Sequence, residues 1–466
     1  MKFTLTVLAL IVAQIVFGQN RVQKIDSLLV ELHSRGKFNG NILIAEKGNV
    51  LYKKSFGFAN EETKQLLNEN SIFELASCSK QFTAMAILIL KEKGKLNLDG
   101  TISKYIPELA FYDSITIRHL LNHTSGLPDY MEVMDNVFDK SKIATNKDII
   151  NTFAKIRPKA LFKPNSKYQY SNTGYALLAS IIEKTSGETY SEFLQKNIFK
   201  PLKMQNSFVY NRRFAPKQID NYAFGYVYSD SLKKYFLPDN LDETKIVTWL
   251  DGIVGDGCVN STINDLLKWD IALYTNKLLP KELINEAFQV ATLNDDSQTK
   301  YGFGWEVDDS TDFGKIVSHG GGWPGYVTYI ERNLSNDKTI IILQNHDNVL
   351  LPSKSIRNIL YNKQERKKVT LTTEQLQSFV GVYELQPSFQ IEIEKQNNNL
   401  IAKTAGQPSI ELVADTENSF IIEEIEARIV FNFDTNKIVK SLTFIQGGQQ
   451  MEGKKIARTN SEQNGR

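Results

Sequence analysis

The stretch Phe73-Glu74-Leu75-Ala76-Ser77-Cys78-Ser79-Lys80-Gln81-Phe82-Thr83-Ala84-Met85-Ala86-Ile87-Leu88 constrains this chain more than any other. Small residues at its start run straight into an apolar, helix-forming segment, so a turn must hand over to a helix here. A serine at such a start has its hydroxyl near backbone N–H groups that the helix leaves unpaired. A lysine three residues later lies on the same helix face, one turn on. Ser77 and Lys80 thus place an amine beside a hydroxyl, one way to activate a weak alcohol nucleophile without histidine. Taken alone, the spacing reads more readily as a helix cap at Ser77.

At 466 residues the chain has room for one large domain and a smaller one, or for two to three domains. Its 55 basic and 53 acidic residues nearly balance, which gives no reason to expect a nucleic-acid partner. The N-terminus stands apart. Met1-Lys2 leads into an apolar run from Phe3 to Phe17, followed by Gly18 and then polar Gln19-Asn20-Arg21. This is the pattern of a signal peptide spanning 1–18, and the run is shorter than the roughly 20 residues that span a bilayer. The expectation is an exported protein, periplasmic or secreted, with no stable membrane span after cleavage. Cys78 and Cys258 are the only cysteines, so a disulfide framework is not expected. Two cysteines and His33, His119, His123, His319 and His346 form no zinc-site spacing, and no phosphate-binding or dinucleotide fingerprint is present. Neither a metal nor an organic cofactor is expected.

Val22 to Arg35 has helical periodicity, and Phe38 to Phe58 reads as a hairpin around Glu46-Lys47-Gly48-Asn49. The middle, from about 95 to 300, is helical and loop-rich, with helix-like runs at Tyr175–Glu183 and Ser191–Phe199. Short β-rich runs follow at Lys315–His319, Tyr326–Glu331 and Lys338–Leu343. Early strands, a helical middle and late strands predict an α+β domain over 19–362, with one antiparallel sheet built from both ends. A charged linker is expected at 363–368. Beyond it, alternation at Phe389/Ile391/Ile393, Ile429/Phe431/Phe433 and Leu442/Phe444 predicts a small all-β, barrel-like domain over 369–456, then a disordered tail at 457–466.

Two further motifs carry chemistry. Tyr170-Ser171-Asn172 precedes a helix-like run; a tyrosine near a lysine ionises more easily and can then move a proton. Asn172 can hydrogen-bond both Lys80 and a substrate carbonyl. Ser318-His319-Gly320-Gly321-Gly322-Trp323 puts glycines on a strand, where a substrate backbone can come close. His319 can orient or protonate there, or simply be structural.

With Leu120-Leu121-Asn122-His123-Thr124-Ser125-Gly126-Leu127-Pro128, Ser261-Thr262-Ile263-Asn264-Asp265-Leu266 and Tyr301-Gly302-Phe303-Gly304-Trp305, these motifs resemble the class C β-lactamase-like serine hydrolases and penicillin-binding proteins over about residues 22 to 360. That family includes β-lactamases, D-alanyl-D-alanine carboxypeptidases, D-aminopeptidases and esterases. The resemblance implies a β-lactamase/transpeptidase-like fold, with the sheet flanked by helices and a large helical subdomain. It implies Ser77 as acylated nucleophile, Lys80 as its activator, Tyr170 as general base and acid, Asn172 as a substrate-orienting group, and His319 at the first position of the third motif. Gly321 and Gly322 would line the substrate edge, with the backbone N–H of Ser77 and Gly322 as oxyanion hole. Asn122 and His123 would be scaffold. Where many members carry Lys-Thr-Gly, this chain has His319-Gly320-Gly321, a weaker and pH-dependent cation for a substrate carboxylate. The departure resembles the aminopeptidase and esterase branches. Leu376 to Tyr383 resembles the start of lipocalin-like domains appended to such hydrolases. The implied function is hydrolysis of amides or esters of small peptide-like substrates through an acyl-enzyme. The alternatives are a carboxylesterase and a non-catalytic penicillin- or peptide-binding sensor. Oligomeric state is left open.

Overall fold

Ile42-Leu43-Ile44-Ala45 and Ile340-Ile341-Ile342-Leu343 are unbroken aliphatic runs far apart in sequence, and they pair antiparallel, Ile42 opposite Ile342 and Leu43 opposite Ile341. Each is buried along nearly its whole length, which is why neither shows polar alternation. The computed structural model describes residues 20–309, 311–362, 369–386, 389–404, 409–422, 427–446 and 449–456. The signal segment, the charged linker and the C-terminal tail read from sequence lie outside the described residues.

The described chain divides between Leu351 and Pro352 into two compact units. In the first, one sheet runs in the order Glu306–Asp308, Ile316–Trp323, Tyr326–Asn333, Lys338–Gln344, Gly40–Glu46, Asn49–Phe56, every neighbouring pair antiparallel. The first hairpin turns through Lys47 and Gly48, both left-handed (φ 50° and 72°), as a two-residue turn that matches strand twist requires. Early and late strands thus close one sheet, as the sequence pattern implied. Within the sheet Glu306–Asp308 pairs with Ile316–Ser318, so its partner strand continues beyond it through His319–Trp323.

The helical part packs around Lys80–Glu92, whose residues from Lys80 to Leu90 are all buried, so its apolar character runs right round the helix. Against it lies Asn172–Ser186, stopped by Gly187 in the left-handed conformation (φ 77°). The helix expected over Ser191–Phe199 is a short α-helix, Tyr190–Leu194, that widens into a π-turn at Gln195–Phe199. The N-terminal helix covers 20–34. Among the described residues no helix is long and apolar enough to cross a membrane.

In the second unit, eight strands from Gly381–Gln386 to Gln449–Ile456 close into a barrel, each paired antiparallel with the next and the last with the first. Ile391, Ile393, Leu400, Leu412, Ile429 and Leu442 are buried in its core, the inward half of the period-2 pattern. A short helix, Thr373–Phe379, precedes the barrel, and its Phe379 ring packs 4.4 Å from Phe431 and 5.2 Å from Phe420.

Candidate active site

Ser77 lies in a tight 3-10 turn, Ala76–Ser79, and the α-helix begins only at Lys80. The serine hydroxyl does not cap the helix. In a 3-10 turn residues i and i+3 eclipse, and the Lys80 Nζ donates to Ser77 Oγ at 3.0 Å. Ala76 is left-handed (φ 48°), a conformation that costs a non-glycine residue roughly 1–2 kcal/mol. Three hydrogen bonds from two strands hold it there. Leu75 N–H donates to the Val259 carbonyl at 2.8 Å, Thr328 Oγ1 donates to the Leu75 carbonyl at 2.7 Å, and Val259 N–H donates to Ser79 Oγ at 3.0 Å. Ala76, Cys78 and Ser79 are buried; Ser77 alone in the turn is partly exposed.

Lys80 is fully buried. An ammonium has three protons to place, and besides Ser77 Oγ they meet Asn172 Oδ1 and the Asp256 carbonyl, each at 2.9 Å. The faces of Tyr170 and Tyr175 lie 5.0 and 5.6 Å from Nζ and add cation–π attraction. The charge is therefore met by neutral oxygens and ring faces, with Ser77 Oγ as one of the three acceptors.

The orientation of Asn172 follows from that ammonium. A donor-only group needs the amide oxygen, so the amide nitrogen turns the other way, to Asp129 Oδ2 at 3.0 Å. The same carboxylate oxygen accepts the Asn172 backbone N–H at 2.8 Å, and the other oxygen caps Tyr130–Asp135 through the Met131 N–H at 3.0 Å. The Asp256 carboxylate accepts the Tyr130 hydroxyl at 2.9 Å; burial pushes this carboxyl up, and the Lys80 charge draws it part of the way back. Asp129 and Asp256 escaped the sequence reading. Asp129 has a local signal, an N-cap aspartate after Leu127-Pro128, whereas Asp256 in Gly255-Asp256-Gly257 has none beyond its glycines.

Tyr170 is 37 % exposed and meets Lys80 through its ring face rather than its hydroxyl. Tyr168 is as exposed, and its ring lies 6.1 Å from that of Tyr301. His319 departs from expectation. It is 2 % exposed, its Nδ1 lies 2.6 Å from the Gly320 carbonyl, and its Nε2 lies 2.7 Å from the Tyr301 hydroxyl. Nδ1 therefore carries the proton it donates to that carbonyl, and Nε2 accepts from Tyr301. Burial, with the Lys80 charge second, depresses its pKa to about 3. The sequence reading of a pH-dependent cation is corrected: desolvation keeps this imidazole neutral.

Gly321 sits against the Ala76–Ser79 turn. A Cβ there would fall 2.2 Å from Thr328 Oγ1 and 2.3 Å from the Leu75 carbonyl, while one on Gly322 would meet open space. Asn122 donates to the Tyr301 and Gly302 carbonyls at 3.3 and 3.1 Å. His123 is packed on Tyr170, their ring centroids 4.2 Å apart. Among the described residues no group of His, Cys, Asp and Glu has the arrangement of a metal site. The assembly offers a partly exposed hydroxyl beside a buried ammonium, an amide locked in one orientation and a tyrosine ring over the ammonium, a set suited to acyl transfer.

The beta-lactamase family matches residues 25–359. A penicillin-binding protein of Bacillus subtilis (strain 168) is 40% identical over 448 residues, covering 93% of this chain and 98% of that protein. Among solved structures, the octameric penicillin-binding protein homologue from Pyrococcus abyssi superposes with a TM-score of 0.66 at 24% identity, over 92% of this chain and 99% of that one. D-amino acid amidase from Ochrobactrum anthropi SV3, complexed with L-phenylalanine amide, does so at 0.60 and 23%, over 75% and 99%. At these identities the two structures establish the fold.

Proposed function

The chain belongs to the beta-lactamase family and is a serine hydrolase, and on that premise we propose that Ser77 is acylated by small peptide-like amides and esters, foremost those bearing a D-residue. The observation that carries the reading is the buried Lys80 ammonium with Ser77 Oγ among its three acceptors. Tyr170, over that ammonium, takes the Ser77 proton as Oγ attacks the substrate carbonyl carbon. The oxyanion so formed is held by the backbone N–H of Ser77 and of Gly322. The intermediate collapses, the C–N or C–O bond breaks, and Tyr170 returns the proton to the departing amine or alcohol. Water then attacks the acyl-serine with Tyr170 again as base, the acyl C–Oγ bond breaks, Tyr170 returns the proton to Ser77 Oγ, and the acid is released. Such proton transfers are worth roughly 10²–10⁴-fold, and each oxyanion donor about 10²–10³-fold. Asn172 holds the Lys80 ammonium and the substrate carbonyl side in register.

A neutral His319 favours substrates without a free carboxylate near this edge, hence amides and esters over β-lactams. The amidase of similar fold is consistent with that choice. The same observation favours carboxylesterase activity as the second reading. The apolar run Phe3–Phe17 supports export.

The test is intact-protein mass spectrometry after exposure to a fluorophosphonate and, separately, to benzylpenicillin, with Ser77→Ala as control. Turnover of D-alanine p-nitroanilide and p-nitrophenyl acetate is measured alongside. Fluorophosphonate labelling confined to Ser77, with anilide turnover lost in Ser77→Ala, is expected. Turnover of the ester alone selects the esterase reading. Full turnover by Ser77→Ala overturns both.

A further inference from the structure

Residues 167–171, which carry Tyr170, form neither helix nor strand, so other contacts must hold the phenol in place. Backbone N–H groups of Leu161, Asn165 and Gln169 donate to the carbonyls of Gly126, Thr124 and His123 at 2.8, 2.8 and 2.9 Å. The Ser171 N–H donates to His123 Nδ1 at 3.2 Å. His123 therefore grips the chain on both sides of Tyr170, once through its carbonyl and once through its ring. The imidazole also lies against the phenol at 4.2 Å and 34°.

Two features of His123 are costly. It is left-handed (φ 58°), where asparagine or glycine sits more easily. Because Nδ1 accepts, the neutral ring carries its proton on Nε2, and that buried N–H has no hydrogen-bond partner. It lies instead among the rings of Tyr301, Tyr175 and Tyr168, at 4.6, 5.1 and 6.3 Å. Burial, the Lys80 charge and then His319 hold its pKa well below the ordinary histidine value, so it stays an acceptor at Nδ1 through the working pH range. The titratable groups around it are Lys80, His319, Tyr168, Tyr170, Tyr175 and Tyr301.

We propose that His123 is a positioning residue that fixes the Tyr170 ring over Lys80; the proposal rests on the reading of Tyr170 as the acid–base group. The sequence reading had placed His123 in mere scaffold. An imidazole does two jobs that no smaller left-handed residue can: it accepts from Ser171 and presents a flat face to Tyr170.

The test is a double-mutant cycle of His123→Asn and Tyr170→Phe in the full chain, read as kcat and KM for p-nitrophenyl acetate. Asparagine suits the backbone and can keep an acceptor near Nδ1, so it removes mainly the ring face. With Tyr170 present, kcat is expected to fall about 100-fold, the cost of roughly 1 Å of misplacement, with KM little changed. In the Tyr170→Phe background the same change is expected to cost less than about threefold, because the group it positions is gone. Circular dichroism and Tm confirm folding; if His123→Asn does not fold, the cycle is repeated with His123→Phe, which keeps a ring and loses the acceptor. An equal loss in both backgrounds, or a kcat within about threefold of wild type, overturns the proposal. Full activity of Tyr170→Phe alone instead overturns the underlying acid–base assignment, so the two failures are told apart.

Discussion

Asp129→Asn tests whether the Asn172 orientation matters as the structure implies. In the native chain one Asp129 oxygen accepts two N–H groups of Asn172, at 2.8 and 3.0 Å, and the other caps the following helix at 3.0 Å. An amide has one oxygen for both tasks. If that oxygen stays at the cap, its NH₂ faces two donors, and two hydrogen bonds to a charged acceptor are lost, about 1.5–3 kcal/mol each. If the amide flips, the cap is lost instead, about 0.5–2 kcal/mol. The flip is cheaper and sets the stability cost at about 1–2 kcal/mol. It leaves Asn172 with a weaker, neutral partner, so the amide oxygen is held less firmly against Lys80. Losing one hydrogen bond to a buried ammonium corresponds to about 1.5–3 kcal/mol, or roughly 10–150-fold in kcat/KM. Acylation of Ser77 by a fluorophosphonate, timed by mass spectrometry, gives the rate, and thermal unfolding gives the stability. A labelling rate within about threefold of wild type at unchanged Tm would show that Asn172 needs no such anchor.

Three other outcomes are expected. His319 has a folded pKa of about 3 against about 6.5 unfolded. Its stability contribution is complete above pH 6.5 and is lost as pH falls toward 3, which at pH 5 amounts to about 2 kcal/mol. Glu74, pushed up to about 7, works in the opposite direction, so the measurement is the difference in Tm between wild type and His319→Gln from pH 7 to pH 5; parallel curves would refute the neutral-histidine assignment. Gly321→Ala forces a methyl onto Thr328 and the Leu75 carbonyl and is expected to abolish fluorophosphonate labelling, whereas Gly322→Ala meets open space and is expected to fold normally and raise KM; wild-type labelling by Gly321→Ala would refute the tight contact. Phe379→Ala empties the ring cluster with Phe420 and Phe431 and is expected to cost about 3–5 kcal/mol in the barrel unit, seen as earlier unfolding in urea; an unchanged midpoint would refute that packing.

Contacts made locally were legible in the sequence. Ser77 and Lys80 are three residues apart, so turn geometry alone brings them together. The sheet was readable because its aliphatic runs are unbroken and bounded by glycine and asparagine, and the barrel because alternate residues along its strands face one core. Asp129, Asp256 and Tyr301 act across 43, 176 and 18 residues, through single polar contacts that leave no periodic trace. The state of His319 was misjudged for a related reason. Residue type sets a histidine's reference pKa, but burial and a neighbouring cation set its charge, and both are tertiary.

That correction bears on how the site keeps one charge in one place. Lys80 is buried without a carboxylate among its three hydrogen-bond acceptors. A carboxylate bonded directly to it would neutralise the ammonium and weaken its pull on a developing negative charge. Asp129 and Asp256 stand one group back instead, the first acting through the Asn172 amide and the second offering its carbonyl while its carboxylate turns to Tyr130. His123 and His319 are both buried within reach of the Lys80 charge, which joins desolvation in keeping both uncharged. An additional cation nearby would repel Lys80. The two imidazoles instead accept hydrogen bonds from Ser171 N–H and the Tyr301 hydroxyl, and among the described residues Lys80 is the cation hydrogen-bonded to Ser77 Oγ.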